Sequence, residues 1–449
     1  MTTGFLQVFE AERSARRWRS LKFLRVAISI SLVMALAACS DQSDPQSASQ
    51  DAAASGQVQS EDQRVNSVKA EINRLADGYD YDAAIKLAKD SDSDELKSMA
   101  RGLEEEKAQT TAWEHPDQIP HLFFHSLIVD TDRAFDKESS SAGYEDYMVT
   151  QKEFAQILNE VYKNDFVLVN PQDFASLNDQ KKMEYRQIML PKGKKPLVLS
   201  VDDLSYYEYM EGDGFASKLI IDDQGKVRNE YVDAAGKKHT GAYDVTTMVD
   251  DFIQEHPDFT YRGARGIVAM TGYNGEFGYR TSASQYPKNK NLAQDQKDAT
   301  TIAMAMKNTG WVFASHSWGH IQTGSVSMGR LQRDTKLWKE EVEPIVGHTD
   351  QFIYPYGADL AHTNIYSGAR YEYLKDQGFN YFYGVDGTTE SWMQQVGGYQ
   401  RQMRINVDGL QFAKEKAGDR PVLSSFFDVD KVIDPARKAL DRPTSSTKP

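Results

Sequence analysis

The stretch Pro196-Leu197-Val198-Leu199-Ser200-Val201-Asp202-Asp203 is a short apolar run that ends on two carboxylates. It reads as a strand. Similar runs recur on either side: His121 to Phe124 and Phe166 to Val169 upstream, then Gly266 to Met270, Trp311 to Ser315, Gln351 to Tyr354, Phe379 to Tyr383 and Gln402 to Ile405 downstream. Between them lie helical patterns, notably Gln151 to Tyr162, Tyr243 to Gln254, Leu292 to Lys307, Met328 to Glu341 and Asn364 to Gln377. Strand-helix alternation of this kind builds a parallel sheet. Seven or eight units in about 320 residues predict an α/β fold of (β/α) barrel or incomplete-barrel type. One stretch breaks the alternation, because Leu219 to Ile221 and Glu230 to Val232 flank a turn at Gly225, with a second turn at Gly236. It predicts a β-hairpin inserted near 215–242, either at the rim of a site or as a surface decoration.

Upstream of the barrel the texture is different. A basic stretch with Arg13, Arg16, Arg17, Arg19, Lys22 and Arg25 precedes an apolar run from Val26 to Ala35 and the tetrad Leu36-Ala37-Ala38-Cys39. This is the layout of a secretory signal, and the run falls short of the ~20 residues a spanning helix needs. The tetrad resembles the lipobox of bacterial lipoproteins, which implies acylation at Cys39, removal of the preceding residues and an extracytoplasmic, membrane-anchored chain. A short transmembrane anchor is the competing reading. Residues 40–64, rich in Ser, Asp, Gln and Ala, predict a disordered tether. Apolar and alanine positions such as Val68, Ile72, Leu75, Leu87, Leu96 and Leu103 predict two or three short helices over 65–115, a spacer ahead of a main domain at 116–435 and a polar tail at 436–449. The formal net charge of -14 argues against nucleic acid as a partner. With a single cysteine, no intramolecular disulfide or cysteine-cluster metal site exists.

Chemistry concentrates at three predicted strand ends, the position at which strand-helix barrels build active sites. The first is Asp202-Asp203. Adjacent aspartates after a strand also cap helices, so the pair gains meaning only from its company. The second is His316-Ser317-Trp318-Gly319-His320, whose histidines share one face if the stretch is helical and then reach one cation. The third is Phe352-Ile353-Tyr354-Pro355-Tyr356-Gly357, a turn able to aim a backbone N–H outward where Pro355 has none.

Together, in this order, these elements resemble the polysaccharide deacetylase family, the NodB-type homology domain of carbohydrate esterase family four, over about Pro120 to Val407. The resemblance implies that Asp202 is the catalytic base, that Asp203, His316 and His320 hold a divalent metal, zinc foremost with cobalt or nickel as alternatives, and that Ser317 braces the loop. It implies an oxyanion donor at the backbone N–H of Tyr356, and removal of acetyl groups from an N-acetylated amino-sugar polymer, peptidoglycan or exopolysaccharide, at the cell envelope.

The chain also departs from the family pattern. Leu204 follows the aspartate pair where the family has glycine. No arginine stands in the third motif, leaving Arg401 or Arg404 as replacements from another strand, and no histidine follows His362. His125 and His362 are the candidate general acids, each equally readable as an ordinary structural histidine. Tyr206 and Tyr207 are candidates for stacking on sugars or for filling the core. Three other readings stay open: an O-acetyl esterase, a glycan-binding lipoprotein without turnover, and a metal-binding solute receptor.

Overall fold

The computed structural model describes residues 61–136, 140–419 and 421–437. The expected signal peptide, Cys39, the tether up to residue 60 and residues 438–449 lie outside the described residues. Seven parallel strands form a closed ring: β1 (His121–Phe124), β2 (Lys195–Asp202), β3 (Gly266–Met270), β4 (Trp311–Ser315), β5 (Gln351–Ile353), β6 (Tyr381–Val385) and β7 (Tyr399–Asn406). Around the ring the order is β3-β4-β5-β6-β7-β1-β2, and β2 returns to β3 through Ile267↔Ser200, Val268↔Val201 and Ala269↔Asp202. The fold is therefore an α/β barrel. The eighth candidate strand, Phe166–Leu168, stays outside the ring; it pairs with Lys195–Leu197 of β2, below the residues that β3 uses.

Most of the strands are apolar without alternation because both faces are covered, β7 being the exception with buried Gln400, Arg401, Gln402 and Arg404. Every residue of β1 and β3 is buried. The interior is nonetheless polar along one line, where His121 bonds Ser200 Oγ at 2.8 Å and Gln402 Oε1 at 3.1 Å, both buried. Helices α1 (Gln151–Lys163), α2 (Val245–Glu255), α3 (Leu292–Thr309), α4 (Met328–Glu341), α5 (Ala369–Asp376) and α6 (Gly409–Ala417) cover the outside. α1 starts on a reciprocal cap, Thr150 Oγ1 accepting from Glu153 N–H while the Glu153 carboxylate accepts from Thr150 N–H.

Four expectations are corrected. α5 begins at Ala369, not Asn364, because Asn364 and Tyr366 are held as loop: Arg401 donates to Asn364 O (2.9 Å) and Tyr366 N–H donates to Tyr399 Oη (3.0 Å). The insertion is a three-stranded meander, Ala216–Ile221, Val227–Val232 and Lys238–Gly241, rather than a hairpin. Its Gly225 turn reaches the C-terminal half of α2, where Lys226 and Arg228 meet Gln254 and Asp251, and so lies away from the C-terminal strand ends. The polar tail does not begin at 436, since buried Arg437 forms a bidentate pair with buried Glu153 on α1 at 2.8 and 2.7 Å. Lastly, the spacer helices are Glu61–Asp77, Tyr81–Asp90 and Asp94–Ala108, the first starting inside the expected tether. Among the described residues no helix is long and apolar enough to cross a membrane.

Candidate metal centre and active site

Consecutive strand residues point to opposite faces, so two neighbouring aspartates would ordinarily diverge. Here β2 ends at Asp202, and Asp203 takes a left-handed backbone (φ 63°) while its N–H still bonds Ala269 O at 3.1 Å. The chain turns sharply there. Asp202 Oδ2 consequently lies 3.8 Å from His316 Nε2, and Asp203 Oδ2 lies 3.7 Å from His320 Nε2.

The histidine loop is not helical. Ser317 (φ 55°) and His320 (φ 51°) are both left-handed, and three side chains hold the bend. Ser317 Oγ accepts from Ile321 N–H at 2.9 Å, and the Asp334 carboxylate of α4 accepts from Trp318 N–H and Gly319 N–H, each at 2.8 Å. One turn-pair further along α4, Glu341 accepts from Trp318 Nε1 (2.8 Å) and from Ser282 Oγ (2.7 Å), tying this loop to the one after β3.

One donor atom from each of Asp203, His316 and His320 falls within 4.8 Å of the others. Two ligands each about 2.1 Å from a common zinc can be at most ~4.2 Å apart. The 3.7 Å between Asp203 and His320 fits that span. The donor chemistry also fits. Nδ1–H of His316 donates to Ile353 O (2.9 Å), which leaves Nε2 as the free lone pair. Burial pushes the imidazoles of His316 and His320 down to about 4, so both are neutral ligands at pH 7. Asp203 Oδ1 accepts from the Tyr207 hydroxyl at 2.5 Å, which in turn sits 2.8 Å from Thr271 Oγ1. That bond leaves Oδ2 to face the cluster.

Asp202 has a different environment. Burial alone would raise its carboxyl, but the Arg404 guanidinium, aided by His316, holds it well below the usual carboxylate range. The contact is bidentate, Nη1 to Oδ1 at 2.7 Å and Nη2 to Oδ2 at 2.9 Å, and Arg404 also reaches Ser200 Oγ at 3.1 Å. Arg401, two residues earlier on β7, goes elsewhere. It clamps Asp359 at 2.8 and 3.0 Å, between the rings of Tyr366 and Trp392.

The remaining candidates separate clearly. Tyr356 is left-handed (φ 59°) and sets its ring edge-on to His320 at 4.4 Å between centroids. His125, after β1, donates Nδ1–H to Tyr147 O (3.0 Å) and sets its ring edge-on to Phe123. His362 is exposed on the loop after β5. Tyr206 and Tyr207 are buried and their hydroxyls are spent on Asn229 and Asp203, so neither offers a face to a sugar. Leu204 is fully buried in the core. Sequence reasoning missed Thr271, Asp334 and Glu341, and it missed the role of Tyr207 as donor to Asp203; the seven-residue spacing of two acids on the inner side of α4 was the one available signal.

No protein-family profile and no curated protein matches the sequence. Among solved structures, the Streptococcus pyogenes deacetylase PplD in complex with acetate aligns with 69% of this chain and 98% of its own, at 12% identity and a TM-score of 0.38. At those values the likeness carries no argument about activity.

Proposed function

We propose that this chain is a divalent-metal-dependent deacetylase that removes N-acetyl groups from an amino-sugar polymer, displayed outside the cytoplasm through acylated Cys39. The observation that carries the proposal is the convergence of one carboxylate and two neutral imidazoles beside a second carboxylate held ionised by a buried arginine. Asp203, His316 and His320 would hold the ion. When bound, it supplies Lewis acidity that activates water and polarises the acyl oxygen. Asp202, ionised at any working pH, takes the proton from the attacking water. The oxyanion that forms at the acyl carbon is assigned to the backbone N–H of Tyr356, and Arg404 keeps Asp202 in place throughout. His125 is the better-placed general acid of the two candidates: with Nδ1–H anchored on Tyr147 O, the imidazolium form carries a second proton on Nε2 and passes it to the leaving amine, returning to the neutral ring. Acetate and a free amine result.

One observation favours a second reading. Both oxygens of Asp202 are engaged by Arg404, which weakens it as a base and suits a glycan-binding protein without turnover. Acetate release from N-acetylglucosamine oligomers, measured beside O-acetylated glycans, separates the readings. Release from the N-acetyl substrate supports the proposal; release from esters alone makes the chain an esterase; binding of oligomers with no release favours the second reading.

A further inference from the structure

The segment 177–195 stands out against an acidic chain. It carries Lys181, Lys182, Arg186, Lys192, Lys194 and Lys195 against Asp179 and Glu184, in a protein of net charge -14. Lys194 is committed to Asp165 and Asp258, and Lys195 lies over the Phe166 ring. The other four are different: Lys181, Lys182, Arg186 and Lys192 are exposed, and among the described residues none forms an ion pair. The acidic group felt by Tyr185 in this region is Asp117.

Apolar surface concentrates in the same place. Of the six exposed large hydrophobics among the described residues, three are Leu177 (37%), Tyr185 (42%) and Met189 (37%). Scattered exposed apolar residues need no explanation, but aromatic and apolar tips interleaved with lysines match the polar-apolar boundary of a bilayer.

The patch has a definite location. The short antiparallel pair Ala175–Leu177 and Met183–Tyr185 is fixed by Met183 N–H to Gly397 O (2.7 Å), and Gly397 sits just before β7. The turn at Lys192 leads directly into β2, and Met189–Pro191 pairs with Thr110–Ala112, where the chain enters from the spacer helices. Both turns therefore lie at the N-terminal strand ends, opposite the Asp203–His316–His320 cluster.

We propose that this end of the barrel docks on anionic lipid headgroups, with Lys181, Lys182, Arg186 and Lys192 contacting phosphates and Tyr185 and Met189 entering the interface. Docked this way, the metal cluster faces away from the membrane, toward a polymer. The docking holds whether or not the chain releases acetate. Basic clusters of this size are drawn to anionic lipid headgroups, and salt weakens the attraction.

The test is hydrogen–deuterium exchange on the full chain added to phosphatidylcholine vesicles with and without phosphatidylglycerol. Exchange across 177–193 slows at least about threefold on the anionic vesicles, while the loop 357–368 at the other end is unchanged. High salt and the combined Lys181→Glu, Lys182→Glu, Arg186→Glu, Lys192→Glu variant both abolish the protection. The variant's barrel strands exchange as in the parent, and its acetate release from soluble oligomers matches the parent's, which keeps a docking failure separate from a failure of the proposed activity. Equal protection on neutral vesicles, protection of 357–368 instead, or protection by soluble polyphosphate with none by vesicles would each overturn the proposal.

Discussion

At the C-terminal end of the barrel, Asp203, Tyr206, Phe277, Ser317, His320, Tyr356 and His362 all hold left-handed backbone, seven of the eleven non-glycine residues that do so among those described. At the N-terminal end only Tyr79, Asp165, Lys181 and Arg262 do, and tight turns there fall largely to glycines such as Gly193, Gly263 and Gly310. A left-handed L-residue costs about 1–2 kcal/mol, which glycine avoids. The end that needs particular side chains at sharp bends accepts that cost at seven positions, the other end at four. Asp203 shows why: an extended backbone would turn its carboxylate away from Asp202's side of the strand.

The largest expected effect tests the chemistry at that end. Asp202→Asn lowers the rate of acetate release about 10²–10⁴-fold. It also leaves Arg404 buried without its partner, so urea unfolding loses about 3–5 kcal/mol. A variant that retains parental stability would show that the ion pair is not as buried as the geometry requires.

Glu276, in the loop after β3, sharpens the comparison through pH. Burial pushes its carboxyl up to about 8, and Oε1 has no hydrogen-bond partner. Because the folded value is raised, the stabilisation is complete below the unfolded value of about 4.3 and is lost as pH rises through 8. Glu276→Gln removes this slope. Its advantage over the parent is on the order of a few kcal/mol at pH 9 and vanishes near pH 4, read from chemical melts across that range.

Next in size is Tyr207→Phe, which frees Asp203 Oδ1 from its donor and weakens zinc binding about 10- to 100-fold by calorimetric titration, with the fold intact. Smallest is Gly193→Ala at the opposite end. Its φ of 97° strains any Cβ although nothing lies within 4 Å, so stability drops about 1–2 kcal/mol and acetate release is unchanged.

Most strands were legible in the sequence because they are short, two-sided apolar runs, and β1, β3 and β4 begin and end where those runs do; β7, with Gln400, Arg401, Gln402 and Arg404, is polar and extends beyond the expected Gln402 to Ile405. The metal-site candidates were legible for a similar reason, since each sits within a few residues of a strand end. What was hidden depends on distant chain. Arg404 meets Asp202 across 202 residues, and nothing local distinguishes it from Arg401, which serves Asp359. The bend at His316–His320 is also nonlocal, set by Asp334 from the next helix, so four-residue spacing pointed to a helix that is absent. For Tyr206 and Tyr207 sugar stacking and core filling stayed open together, because sequence does not reveal that their hydroxyls face inward; both fill the core.

The most direct test of the central claim is zinc-dependent acetate release from N-acetylglucosamine oligomers by chelator-treated protein, beside His316→Ala and Asp203→Asn. One zinc is expected to bind per chain, that equivalent to restore release, and the two variants to show neither binding nor release. Full release after chelation, or release that survives loss of His316, would contradict it.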